Sequence, residues 1–96
     1  MTIEIKKTEE ETIIEIAGRL DTITAPALDK TINEDIVDTK NLVLDVKGME
    51  YISSAGLRVL LTAQKKSKGG MKLTNVCELV MEVFEMTGFA DILVIE

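Results

Sequence analysis

Apolar and polar residues alternate twice near the start of the chain. Ile3 and Ile5 stand between polar neighbours in Thr2–Lys7, and Ile14 and Ile16 repeat the pattern in Thr12–Ala17. A period of two puts alternate side chains on one face of a half-buried strand. The two segments therefore predict a hairpin across the acidic turn Glu9–Glu11. Gly18 predicts the end of the second strand, and Arg19–Thr24 a mostly polar connection. The period then lengthens. Pro26 suits the first turn of a helix, where its missing N–H does no harm. Leu28, Ile32 and Ile36 recur every four residues, which predicts a helix with a narrow apolar stripe ending near Asp38.

Leu42–Val46 is almost continuously apolar, as a central strand is. From Ser54 to about Lys68 the helical period returns, with Leu57, Leu60, Leu61 and Gln64 on one side and Gly56, Val59 and Ala63 beside them. That arc exceeds half the circumference, so this helix is expected to be well buried. Gly69-Gly70 predicts its end, and Met71–Val76 another short strand. A third helix follows, with Leu79, Val80, Val83, Phe84 and Met86 on one side and Glu78, Glu82 and Glu85 on the other. Gly88 is its expected stop, and Ile92–Ile95 the last strand. The predicted order is β-β-α-β-α-β-α-β. After the hairpin, strands alternate with helices, which implies right-handed crossovers and a largely parallel portion of sheet. The expected fold is a single α/β domain over residues 1–96, a mixed sheet with helices packed against it.

Composition narrows the function more than the fold. The 96 residues are 46% hydrophobic and 29% charged, as in a globular protein that folds on one core. No apolar run approaches the ~20 residues of a membrane span, and the N-terminus lacks the layout of a signal peptide. A cytoplasmic location is the resulting expectation. The net charge is −6, from 17 acidic and 11 basic residues. An acidic surface repels phosphate backbones and anionic lipid, which argues against nucleic-acid and membrane partners. Aromatic residues are 3%, too few for a base-stacking platform. The chain has one cysteine and no histidine. That leaves no internal disulfide, no zinc-ligand cluster and no Ser–His or Cys–His dyad. No cofactor and no enzymatic activity are expected. No GxxxxGK[ST] or GxGxxG pattern indicates a nucleotide site.

The candidate chemistry lies in NLVLDVKGMEYISSAGLRVLL, Asn41–Leu61, where an apolar strand leads through a short loop into a helix beginning at Ser53-Ser54. A serine at a helix start caps a free backbone N–H for about 1 kcal/mol, and Ile52 and Leu57 would staple around a Ser53 cap. Two serines are one more than a cap needs. If Ser53 caps, the Ser54 hydroxyl is free, and a phosphate there would sit at the positive end of the helix dipole. Arg58 lies one turn on, along the same side. Helix-start serines are common, so local physics favours the cap over the switch. Asp21, in GRLDTIT, reads as a turn carboxylate that accepts nearby N–H groups, or as a polar contact of the same site. Asp45 reads as a strand carboxylate with a backbone partner. Lys65, Lys66 and Lys68 suit a helix C-terminus. Cys77 reads as a packing or capping residue at the third helix's start, and Met81 as a surface contact.

These segments together resemble a STAS domain, the module of bacterial anti-sigma factor antagonists and sulfate-transporter tails. The resemblance spans almost the whole chain: Gly18-Arg19-Leu20-Asp21, LDVKGMEYISSAGLRVLL, GGMKLTNV and VFEMTGFADIL, in order. The family loop reads Asp-Ser-Ser/Thr-Gly-Leu, with the first hydroxyl residue phosphorylated. Position by position, Ser54 takes the acceptor place, Ala55 replaces the second hydroxyl, Ser53 replaces the Asp, and Gly56 and Leu57 match. Asp21 matches an acidic residue beside the loop. The chain ends at Glu96, where many members continue into another helix.

The resemblance implies partner switching. The unphosphorylated protein binds an anti-sigma factor that is also a GHKL-type serine kinase and so frees the sigma factor. The kinase phosphorylates the acceptor with its own ATP, and the antagonist lets go. A metal-dependent serine phosphatase restores the binding form. The ATP and metal belong to those partners. The alternative is a STAS module of a transporter or lipid-transport complex with Ser54 only a helix cap. A 96-residue chain with its own Met1 favours the free regulator. Its acidic charge and small apolar patch fit a monomer that associates reversibly.

Overall fold

The computed structural model describes residues 1–35, 41–67 and 70–96. They form β1 (Thr2–Lys7), β2 (Glu11–Leu20), α1 (Ala25–Asp35), β3 (Asn41–Ile52), α2 (Ser54–Lys66), β4 (Met71–Thr74), α3 (Glu78–Thr87), a 3-10 turn (Phe89–Asp91) and β5 (Val94–Ile95). The predicted order of strands and α-helices holds. The first helix's expected end near Asp38, with Ile36, lies outside the described residues. The second helix stops at Lys66, short of the expected Lys68, with Ser67 as its C-cap donating its amide to the Ala63 carbonyl.

The sheet has five strands in the order β1-β2-β3-β4-β5. β1 pairs antiparallel with β2, and β2, β3, β4 and β5 run parallel to one another. Each parallel strand lies beside its predecessor, always stepping the same way. Right-handed crossovers must then put every helix on one face. Burial agrees. Ile14 and Ile16, Leu42, Leu44 and Val46, and Met71 and Leu73 join one core with Leu28, Ile32, Leu57, Leu60, Ala63, Val80 and Phe84. The alternate residues lie on an open face, where Lys6 bonds Glu15 at 2.7 Å and Lys72 approaches Glu96 at 3.5 Å. Each fully buried aliphatic side chain contributes about 1.5–3 kcal/mol.

Several boundaries differ from the sequence pattern. Gly18 does not end β2. Its φ of +96° sits between two register shifts, at Glu15/Ala17 and Gly18/Arg19, and pairing resumes with Arg19↔Tyr51 and Leu20↔Ile52. A bulge keeps the strand going where the local pattern reads as a stop. The same irregularity lengthens β3 to Ile52. Leu42, Leu44 and Val46 face the core, the parity then slips, and Met49 and Ile52 are buried instead. The expected loop before α2 is therefore reduced to Ser53. β4 stops at Thr74 because Asn75 turns the chain with φ 61°. β5 is only Val94–Ile95, since the 3-10 turn occupies the chain before it.

On α3 the buried positions are Val80 and Phe84, with Met81 and Val83 partly buried beside them. Met81 therefore packs against the core instead of forming a surface contact. Leu79 and Met86 fall on the opposite side of a 3.6-residue period, and Met86 is 85% exposed. Gly88 does end this helix, in the left-handed conformation.

Candidate functional site

The candidate residues gather where β2 and β3 end. Parallel strands leave their carboxyl ends at a common edge, the usual place for a functional site in α/β sheets. Here β2 runs out at Leu20 into the turn Asp21–Thr24, and β3 at Ile52 into Ser53 and α2. The Ser53 amide donates to the Leu20 carbonyl at 2.9 Å, which joins the two strand ends. Gly56 completes the join. A Cβ at Gly56 would stand 2.7 Å from Leu20 Cγ, 2.9 Å from Ile52 Cγ1 and 3.0 Å from the Leu20 carbonyl oxygen. No side chain fits, so the first turn of α2 rests directly on the end of the sheet.

The turn after β2 is held by one carboxylate. Asp21 Oδ1 accepts the Ile23 amide at 3.0 Å, the Thr24 amide at 3.1 Å and the Thr24 hydroxyl at 3.2 Å. Thr24 Oγ1 in turn accepts the Asp21 amide at 2.9 Å and lies 2.7 Å from the Arg19 carbonyl. The Thr24 amide, then the Ile23 amide, the Thr24 hydroxyl and Arg19 hold the Asp21 carboxyl below the ordinary carboxylate range, against some opposition from burial. Arg19 Nε lies 3.6 Å from Asp21 Oδ2, and its guanidinium stacks 4.2 Å from the Tyr51 ring centroid. The turn reading of Asp21 is thus the one the geometry carries, and the turn lies beside the serines. The Asp-x-x-Thr spacing of Asp21 and Thr24 was the signal for this network.

The serines occupy different positions. Ser53 is at the N-cap of α2, with φ −105° and ψ 177°, and its side chain makes no capping hydrogen bond. Its Oγ is buried without a partner. The expected Ser53 cap is corrected accordingly: the backbone is in cap geometry, but the hydroxyl does not serve it. Ile52 and Leu57, the expected staple residues, are both buried in the core. Ser54 is the exposed first residue of the helix. The first turn of α2 carries no acidic residue. Arg58, also exposed, lines a hollow between α1 and α2 together with Thr22, Pro26, Asp29, Ala55 and Thr62. The structure therefore brings Ser53, Ser54, Ala55, Gly56, Arg58 and the Asp21 turn together at one end of the sheet.

Other expectations resolve as structural roles. Asp45 Oδ1 accepts the Lys47 amide at 3.1 Å and the Asn75 side-chain amide at 3.0 Å. Cys77 is the N-cap of α3, with Sγ 3.4 Å from the Met49 carbonyl. Lys65 and Lys66 lie in the last turn of α2, and Lys66 bonds the Asn33 side chain on α1. Among the described residues, no cluster of three or more carboxylate or thiol side chains could hold a metal ion, and no helix is long and apolar enough to cross a membrane.

Residues 2–96 match the sequence profile of the STAS domain. The anti-sigma-B factor antagonist of Bacillus subtilis is 30% identical over 96 residues, covering 97% of this chain and 88% of its own length. The fold recurs in the crystal structure of an anti-sigma factor antagonist from Mycobacterium paratuberculosis, with a TM-score of 0.88 at 23% identity over 98% of this chain and 83% of that one. It recurs also in the anti-sigma factor antagonist SpoIIAA. The unphosphorylated form gives a TM-score of 0.83 at 18% identity, covering 99% of this chain and 88% of that one. The phosphorylated form, from Bacillus, gives 0.74 at 17%, covering 99% and 91%.

Proposed function

Because the chain belongs to the STAS domain family, we propose that it is an anti-sigma factor antagonist, a regulatory binding protein switched by phosphorylation of Ser54. The observation that carries this reading is the start of α2. Ser54 is exposed there as the first helical residue, no carboxylate shares its turn, and the neighbouring serine leaves the cap unused. With no side-chain cap and no acid in its first turn, the helix offers its first backbone N–H groups and its positive dipole end, and both favour an added phosphate. A phosphate bearing about −1.5 to −2 charges would cost the fold little. Its effect would fall on whatever covers Ser54.

The partner in this reading is a GHKL-type serine kinase that doubles as the anti-sigma factor. It binds the unphosphorylated surface around Ser54 and releases its sigma factor. Ser54 Oγ then attacks the γ-phosphorus of the kinase's ATP. Its proton passes to a base of the kinase and ADP departs. The phosphoserine repels the surface it had occupied, and a metal-dependent serine phosphatase resets the switch. This chain supplies the acceptor and the docking surface, not catalysis. Asp21 shapes the adjoining turn, Gly56 lets α2 sit against it, and Ser53, Ala55 and Arg58 complete the face presented to the kinase. The setting is the bacterial cytoplasm, where sigma factors and ATP are, and the working form is a monomer.

The test is transfer of labelled phosphate from ATP by each purified GHKL-type anti-sigma factor of the source organism, with wild type, Ser54→Ala and Ser54→Asp as substrates. The reading expects label on wild type only. It also expects tight complexes with wild type and Ser54→Ala, and one weaker by about 10- to 100-fold with Ser54→Asp. Label on Ser54→Ala, or equal binding by all three proteins, would refute it. The transporter-module alternative loses its local support, because Ser54 lies one residue past the cap position.

A further inference from the structure

Ile23 is 87% exposed, although it is a large aliphatic residue in a position where turns favour small or polar ones. Folding gains almost nothing from it there. Its surroundings are nonetheless rigid. Its own amide is held by Asp21 Oδ1 at 3.0 Å, and the next amide, of Thr24, is held by the same oxygen at 3.1 Å. The Ala25 amide closes the turn on the Asp21 carbonyl at 2.8 Å. A β-branched side chain has few χ1 rotamers, so the chain presents a preorganised apolar knob. Burying such a group in a partner costs little ordering entropy.

Its place matters as much as its exposure. Thr22 and Ala55 line the same hollow, and their chain neighbours are Ile23 and Ser54. A kinase that takes Ser54 into its active site buries about 800 Å² of this chain around that residue, a patch roughly 16 Å in radius. Such a footprint covers both walls of the hollow, and with them the Asp21–Thr24 turn.

Resting on the reading above, we propose that Ile23 is the apolar anchor through which the anti-sigma factor kinase docks over Ser54. The kinase carries an apolar pocket one hollow's width from the site where its ATP γ-phosphate meets the serine. Ser54 supplies the switch and Ile23 the affinity. The two functions are carried by separate side chains on the two strand ends that the Ser53–Leu20 hydrogen bond joins.

The experiment is calorimetric titration of the phosphorylating kinase with wild type, Ile23→Ser, Ile23→Val, Ser54→Asp and Met86→Ser, followed by steady-state phosphorylation of each variant that retains Ser54. Met86 is the control, an equally exposed apolar side chain on α3. Ile23→Ser is expected to raise Kd about 30-fold and KM in step, with kcat unchanged. Ile23→Val and Met86→Ser should stay within about threefold of wild type. An Ile23→Ser complex as tight as wild type, while Ser54→Asp is released, overturns the anchor and leaves the switch standing. A Met86→Ser loss equal to that of Ile23→Ser also overturns it, since exposure alone would then account for binding. Failure of every kinase to phosphorylate wild type removes the switch and the anchor together.

Discussion

The starts of α2 and α3 are the same kind of object treated in opposite ways. Both follow an extended cap residue that makes no side-chain capping bond. At α3 the cap residue Cys77 points its Sγ at the Met49 carbonyl, the first turn carries Glu78, and the third helical position is the fully buried Val80. A carboxylate meets the dipole and an aliphatic side chain fills the space beneath. At α2 the cap hydroxyl is buried and unpartnered, the first turn has no acid, and the third position is Gly56, pressed against Leu20 and Ile52. One helix start is complete in itself. The other sits hard on the sheet and leaves its positive end open, which is where a reversible negative charge has most to gain.

The sharpest way to break this contrast is steric. Gly56→Ala is expected to lower stability by about 2 kcal/mol, because the added Cβ meets Leu20 and Ile52 and one of its close contacts is backbone. Denaturant unfolding would show it. A cost near zero would mean that α2 does not rest on the strand ends as described.

Next is Ser53. If its hydroxyl capped the helix, Ser53→Ala would cost about 1 kcal/mol. A buried, unpaired hydroxyl predicts the reverse sign, a gain of up to about 1 kcal/mol from removing an unsatisfied group. Ser53→Asp, with a carboxylate able to reach the free N–H groups, should stabilise by a similar amount. Melting curves of the two variants settle the sign.

Smaller again is the dipole effect. Ser54→Glu should stabilise by roughly 0.5 kcal/mol at low ionic strength and lose most of that gain in 1 M salt. Leu79→Glu, beside the existing Glu78 of α3, should gain less or nothing. Equal gains at both helices would erase the distinction between them.

The smallest effect concerns pH. The folded Asp21 carboxyl titrates below its unfolded value, so the stability it lends is present above about pH 4 and is lost as pH falls through the folded pKa. The gap in melting temperature between wild type and Asp21→Ala should therefore be full at neutral pH and close in acid. A gap that persists unchanged in acid would show that the turn does not depend on the charge.

Much of this was legible in the residue pattern. Ile14 and Ile16 alternate because one sheet face is buried, and Leu42–Val46 is a near-continuous apolar run because β3 is central. Leu57, Leu60 and Ala63 return at helical spacing because one side of α2 is buried. The serine pair and Gly56 could be picked out from the loop motif they form, and Asp21 joined them through the resemblance to the STAS family. The residues that brace them could not. Arg19 stacks on Tyr51 across paired strands, and nothing in its neighbours announces a ring so far along the chain.

The sequence by itself determined the element order, the apolar periods of strands and helices and the serine pair at the helix start, because period and composition are local properties of a chain. Tertiary structure decided the rest. Whether Gly18 ended a strand or bulged it depended on pairing with β3, and whether Met81 or Met86 faced the core depended on how α3 lay on the sheet. Whether the first turn of α2 could rest on the sheet depended on how closely Leu20 and Ile52 approached Gly56. Each of these turns on atoms brought together from distant parts of the chain, and only the folded sheet sets those distances.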